Sequence, residues 1–309
     1  MSAALQPRPG WLPRRALARD VHTTCGRLPL RGGTPARASL GGFAQNIVSG
    51  LQMTGGLVTS GLVVGFANVL GLVITLSTNT HKVTDLLGSG AFAAAALACK
   101  AIGGGGGQRA LISTVIITAW SVRLAGFLFY RILNTSTDDR LGQQFKTKQQ
   151  TMIFWTASAL WGWICLIPHS VLCFDPNAVA MGPMGWGAAA LAAAGLLAEA
   201  VADQQKWAFK QSPESKATWC TRGLWRYSRH PNYCGELVVW LGLYLLTLPT
   251  LGSLPSLVGC AASPAFITLL LLKVSGIPLA EQRMDEKFSG NSEYQDYKAS
   301  TPVLFPVPW

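Results

Sequence analysis

The sequence is short of charge, and above all of negative charge. Only 13% of its 309 residues are charged, Lys and Arg number 25 against 14 Asp and Glu, and 50% of the chain is hydrophobic, with a mean hydropathy of +0.31. That deficit argues against an ordinary soluble domain, about a quarter of whose residues are charged, and favours a polytopic membrane protein. Paired cysteines are missing as well. The seven cysteines, at 25, 99, 165, 173, 220, 234 and 260, show no CxxC spacing and several sit inside apolar runs, so neither a zinc site nor a disulfide scaffold is indicated. The four histidines, at 22, 81, 169 and 230, lack the helical pairing of a metalloprotease, and no metal is expected. The glycine run 103–107 lacks the Lys and Ser/Thr of a phosphate-binding P-loop and reads as a flexible loop. No basic strand interleaved with aromatics is present, so nucleic acid is not an expected partner.

What the chain has instead is apolar length. Crossing a bilayer takes about 20 residues, and apolar stretches occur at 43–76, 86–102, 111–133, 152–174, 184–202, 233–250 and 257–275. The expected fold is all-α, an integral-membrane bundle of six or seven transmembrane helices over 43–309, with the lipid bilayer as its surroundings. Ahead of it, residues 1–42 hold seven arginines, no lysine and one acid, Asp20, hence +6 of the chain's +11. Rich in Pro, Gly, Ser and Thr and without a continuous apolar core, this segment reads as a disordered organellar transit peptide. It points to a chloroplast or mitochondrial membrane, with the endoplasmic reticulum as the alternative. Past residue 42, 14 of the 18 Lys and Arg fall at one side, Arg109 lies on the other, and Lys100, Arg123 and Lys273 lie within spans. The positive-inside rule assigns the basic side to the cytosol or its stromal or matrix equivalent.

The candidate functional groups gather on that side. Glu199, Asp203, Lys206 and Lys210 share one helical stripe, either as a solvated ion-pair ladder or as one wall of a site. Arg123 and Tyr130, seven residues apart, share a face, and an arginine within apolar sequence needs a partner or a ligand anion unless it snorkels. Arg131, Asp138, Asp139 and Arg140 follow in a polar loop. The densest cluster is Arg229-His230-Pro231-Asn232-Tyr233 with Gly235 and Glu236. Pro231 suits the first turn of a helix, after which Asn232, Glu236, Trp240 and Tyr244 fall on one stripe. A helix N-terminus flanked by Arg226, Arg229 and His230 offers donors and positive potential to a phosphate.

Four blocks carry a family resemblance. They are Trp120-Ser121-Val122-Arg123 through Arg131 with Asp138-Asp139-Arg140; Glu199 with Asp203-Gln204-Gln205-Lys206 and Phe209-Lys210; Gly223 to Tyr233 with Gly235-Glu236; and Ser275-Gly276-Ile277-Pro278 with Glu281, Tyr294 and Tyr297. In these blocks, spread over 110–309, the sequence resembles the DUF1295 group of membrane proteins with a steroid 5-alpha-reductase-like C-terminal domain. Sterol C14 reductases and isoprenylcysteine carboxyl methyltransferases are more distant likenesses. The resemblance implies a multi-helix fold whose C-terminal half wraps a nucleotide cofactor, NADPH in the reductase branch. Carried onto this chain, the implied cofactor contacts are Arg123, Asp203, Lys206, Arg226, Tyr227, Arg229, His230, Asn232, Tyr233, Glu236 and Tyr297. Arg229, Arg226 and Lys206 would neutralise phosphates, Asn232 and Glu236 would hold ribose or amide groups, and Trp225 and Tyr233 could stack on a ring.

The implied activity is reduction of an activated C=C bond in a lipophilic small-molecule substrate, whether steroid-, sterol- or otherwise lipid-like, as in 3-oxo-5-alpha-steroid 4-dehydrogenases. One part of that pattern is absent. The carboxylate that helps polarise the enone in steroid 5-alpha-reductases has no match, because residues 43–110 contain a single acid, Asp85. Tyr130 is the expected proton donor on position alone. Two other readings stand beside this one: a membrane methyltransferase of the isoprenylcysteine type using S-adenosylmethionine, and a non-catalytic lipid-binding protein of the same fold.

Overall fold

The computed structural model describes residues 35–134, 145, 147–177 and 179–305, with side chains described from residue 54 onward. Most of the segment read as a transit peptide lies outside the described residues; its last eight residues, 35–42, belong to the first helix. The chain separates into two compact units, Met1–Phe43 and Ala44–Trp309, and every described side chain belongs to the second.

No strand occurs among the described residues. The fold is a polytopic helical bundle: α1 (Pro35–Thr78), α2 (Thr84–Gly103), α3 (Gly107–Asn134), α4 (Lys148–Cys165), α5 (Ile167–Phe174), α6 (Pro183–Gln211), α7 (Pro231–Thr247), α8 (Leu254–Leu269), α9 (Ile277–Lys287) and α10 (Ser292–Ser300). Among the described residues, six segments are long and apolar enough to cross a membrane, and the bent pair α4 and α5 makes up to seven. The single span expected at 152–174 is broken by 46°. Pro168 explains the break, since proline is tolerated in the first turn of α5 and would forfeit a hydrogen bond and clash inside a continuous helix. The start of α4 is fixed by a capping box, in which Thr147 Oγ1 accepts from the Gln150 N–H at 3.2 Å and the Thr147 N–H donates to Gln150 Oε1 at 3.1 Å.

Aromatic rings occupy the centre. Phe92 of α2 lies 5.1 Å from Trp120 of α3 and 4.7 Å from Trp161 of α4, and Trp120 lies edge-on to Trp240 of α7 at 5.2 Å. Four helices thus share one buried cluster, which fits the aromatic preference for tilted and T-shaped contacts. On the far side of the bundle, buried Arg109 donates to the carbonyls of Val179, Ala180 and Leu246 at 3.1, 2.9 and 2.8 Å. It ties the start of α3 to the α5–α6 loop and the end of α7.

The most intimate helix pair is α6 with α7. A Cβ added to Gly195 would stand 2.7 Å from the Gly235 carbonyl oxygen, and one added to Gly242 would stand 2.7 Å from the Ala192 nitrogen. Small residues let two backbones approach where lipid provides no hydrophobic drive to press them together. This seam sets Glu199 and Asp203 beside the first turns of α7.

After α8 the chain passes through a π-helical turn, Leu270–Val274, closed by Ser275 N–H donating to the Leu270 carbonyl at 2.9 Å. Gly276 and Pro278 then start α9, and α10 is capped by the Asn291 side chain, which accepts from the Tyr294 N–H at 3.0 Å. The final described residues run back along the 229–230 motif: the N–H groups of Arg229 and His230 donate to the Pro302 and Val303 carbonyls at 2.9 and 3.1 Å.

Candidate functional site

Arg123 organises the polar interior. Its guanidinium bonds both Glu199 and, at 2.6 Å, Asp203. Glu199 accepts a second bond from Trp120 Nε1 at 2.8 Å, and Asp203 one from Asn232 Nδ2 at 3.3 Å. The intramembrane arginine therefore has two partners and joins α3, α6 and α7, as the cost of an unpaired charge at such depth demands. Glu199, Asp203 and Lys206 share a stripe, as their spacing predicts, and the stripe faces inward toward α3 and the cavity.

Beside this network lies a cavity of about 840 Å³. Its polar lining includes Glu199, Asp203 and Lys206 of α6, Arg229 and His230 ahead of α7, Asn232, Tyr233 and Glu236 on α7, and Glu281, Arg283, Lys287, Tyr294 and Tyr297 of the tail. Its apolar lining comes from Leu124, Phe127 and Leu128 of α3, Phe154 and Trp161 of α4, and Ile267, Leu270 and Leu271 from the end of α8. Such a volume and such a mix of a few polar groups on a largely apolar wall suit a small-molecule or cofactor site.

Several polar atoms at this wall lack partners. Glu236 is only 8% exposed and makes no hydrogen bond among the described residues. Asn232 Oδ1, Arg229 Nε and Trp219 Nε1 are buried without a partner among them. Buried polar groups are overwhelmingly satisfied in folded proteins, so these atoms are free to bond a small molecule or ordered water in the cavity.

The 229–236 segment is held from the tail. His230 Nε2–H donates to Glu281 Oε1 at 2.7 Å, and Arg229 reaches Glu281 Oε2 at 3.3 Å and the Lys298 carbonyl at 3.0 Å. Burial lowers the His230 pKa from its ordinary value, with Glu281 opposing that shift. The imidazole is thus a neutral donor at neutral pH, stacked on Tyr233 with ring centres 5.5 Å apart. Burial pushes the Tyr297 phenol up to about 12, so it too remains a protonated donor. Lys206 Nζ lies 4.1 Å over the Trp225 ring, whose Nε1 is anchored on the Ala202 carbonyl at 2.9 Å. Gly223, at φ +57°, makes the turn that brings Trp225 in, and Gln205 packs where a side chain would stand.

Of the expected contacts, Asp203, Lys206, Arg229, His230, Asn232, Tyr233, Glu236 and Tyr297 line the cavity. Three do not. Arg123 sits behind the wall, in the ion-pair network. Arg226 and Tyr227 are exposed, Tyr227 by 59%, because the 3₁₀ turn Gly223–Arg226 directs Trp225 inward and so turns the next two residues out. Tyr130 also stands outside the lining: it is 55% exposed and packs edge-on to Trp207. It shares a face with Arg123 as its spacing predicts, but that face meets α6, while the stripe Leu124, Phe127, Leu128 and Arg131 meets the cavity. Asp138, Asp139 and Arg140 lie outside the described residues. Glu281, Trp219, Arg283 and Lys287 line the cavity without belonging to the expected contact set. Arg283 and Lys287 are four apart, one helical face, yet only the fold of α9 back over the cavity gives that spacing meaning.

Residues 71–301 match the profile of a family described as "Protein of unknown function (DUF1295)". The chain belongs to the DUF1295 family. An uncharacterized protein of Schizosaccharomyces pombe is 25% identical over 232 residues, covering 64% of this chain and 64% of the yeast protein, slightly under two thirds of its length. No solved structure matches the chain. In this DUF1295 chain the matched region includes every one of these cavity-lining residues.

Proposed function

We propose that this DUF1295 protein is an integral-membrane reductase that uses NADPH to saturate an activated C=C bond in a lipophilic substrate, steroid-, sterol- or otherwise lipid-like. The observation that carries the reading is Glu236, buried and without a hydrogen bond among the described residues, at a cavity that also offers cations and aromatic rings on its α6, α7 and tail side and an apolar wall on its α3, α4 and α8 side. These residues fit a phosphorylated dinucleotide. Glu236 and Asn232 Oδ1 are acceptors for amide or hydroxyl donors, Lys206 and Arg229 place positive charge for phosphates, and Trp225 and Tyr233 present ring faces. When bound, NADPH supplies a hydride to the substrate. The chain's own part is to orient both molecules, to exclude water with the apolar wall, and to deliver a proton. Tyr233, a cavity-lining phenol three residues before Glu236, takes that last role from the outward-facing Tyr130.

Equilibrium binding to purified protein in detergent tests the reading. NADPH is expected to bind, and Glu236→Gln to weaken it by about 10- to 100-fold, the worth of a hydrogen bond to a charged group. Absence of any NADPH affinity in the parent protein overturns the proposal. A second reading has one observation of its own: Glu199, Asp203 and Glu236 set three carboxylates around one arginine, a balance that also suits the sulfonium of S-adenosylmethionine. The same assay with that ligand separates the two, because tight adenosylmethionine binding without NADPH binding reverses their order.

A further inference from the structure

Two sets of cations meet the cavity, and they differ in how far the protein neutralises them. Arg229 is already committed, paired with Glu281 at 3.3 Å and bonded to the Lys298 carbonyl. Lys206, near the end of α6, and Lys287, at the end of α9, have no carboxylate in ion-pair range among the described residues. Lys206 rests on the Trp225 ring; Lys287 donates to the Ser215 carbonyl at 2.8 Å and lies 4.8 Å from the Phe288 ring centre. Both lysines line the one cavity, Lys206 from α6 and Lys287 from α9, and so bring positive charge to it from two different helices. Gathering like charges from two helices at one wall is unfavourable in a partly buried setting. An anion with nearly two charges and three acceptor oxygens, a phosphomonoester, reverses that balance best.

A ring-binding wall adjoins these lysines. Trp219 packs against Tyr294 and Tyr297 with ring centres at 5.2 and 5.6 Å, and its Nε1 is buried without an acceptor among the described residues although Trp219 lines the cavity. A purine offers such a wall both a π-face and ring-nitrogen acceptors. A phosphomonoester next to a purine is the chemistry of adenosine carrying a 2′-phosphate.

We propose that Lys206 and Lys287 jointly bind the 2′-phosphate of the dinucleotide and so set a preference for NADPH over NADH. The proposal rests on the reductase reading and assigns selectivity to residues other than Arg226 and Arg229.

The test is equilibrium binding of NADPH and NADH, in detergent, to the full chain and to Lys206→Met, Lys287→Met and the double variant. Methionine keeps the apolar stem on its ring and removes the charge. Each single change is expected to weaken NADPH about tenfold and the pair about a hundredfold, with NADH altered by no more than about twofold. Adenosine 2′,5′-bisphosphate is expected to compete with NADPH on the parent protein and to fail on the double variant. An unchanged NADPH to NADH ratio in the double variant, with both still bound, overturns the assignment. That ratio is also expected to stay constant if the lysines instead hold lipid phosphomonoesters, in which case the variants lose phosphatidic acid binding. Failure of the parent protein to bind either dinucleotide removes the reductase reading together with this inference.

Discussion

Arg123→Met is expected to destabilise the protein by about 3–5 kcal/mol, the usual cost of removing one partner from a buried ion pair. The guanidinium bonds both Glu199 and Asp203, whose side chains are 4% and 13% exposed. Without it, the bonds from Trp120 and Asn232 remain, yet two carboxylates stay facing each other within a helical bundle. For a domain of this size the unfolding midpoint should drop by roughly 10 °C, followed by tryptophan fluorescence in detergent. Arg123→Lys is expected to recover only part of the loss, because a single ammonium cannot reproduce the fork that spans both acids. Adding Glu199→Gln and Asp203→Asn to Arg123→Met should restore most of the stability, since the uncompensated charge is then gone. An Arg123→Met protein that unfolds at the parent temperature would refute this account of the network.

Gly235→Ala is expected to be damaging as well, through a steric mechanism. The new Cβ would stand 2.7 Å from both the Glu199 nitrogen and the Gly195 carbonyl oxygen, atoms of helix backbone that cannot rotate aside. Relief requires α7 to back away from α6, at a cost of about 1–3 kcal/mol for overpacking. Because Glu236 is the next residue and Asn232 lies one turn earlier, the same displacement draws both away from Asp203 and the cavity. Loss of NADPH binding should therefore exceed what the stability change alone explains. Gly187→Ala, on α6 where a Cβ meets nothing within 4 Å, is the control and should be neutral or mildly stabilising. Equal behaviour of the two variants in thermal unfolding would show that the α6–α7 approach is not limiting.

The membrane architecture was legible because its signal is local and repeated. Long apolar runs separated by polar connections dictate helices, since a backbone in lipid must satisfy its own hydrogen bonds. The 229–236 cluster was legible for a similar reason: Pro231 sets a helix start, and the stripe from Asn232 through Glu236 to Trp240 follows from the helical period. A shared face, however, is not always a cavity face. Arg123 and Tyr130 do share one, but it packs on α6. Arg226 and Tyr227 flank residues that line the cavity, yet a short 3₁₀ turn sends Trp225 in and them out. The bend at Pro168 does have a local signal, but one embedded in an apolar run long enough to read as a single span.

By itself, then, the sequence determined the class of fold, most of the spans and the residues with chemistry to offer, because hydropathy and helical period act over a few turns. Tertiary structure alone decided which of those residues meet. Glycines at 195, 235 and 242 let α6 and α7 touch; that contact turns Glu199 and Asp203 toward Arg123 and sets Glu236 at the cavity wall. The tail, folding back through Glu281, brings Lys287 to the same wall as Lys206. These pairings join helices far apart in the chain, and their energies depend on distances that no local spacing encodes.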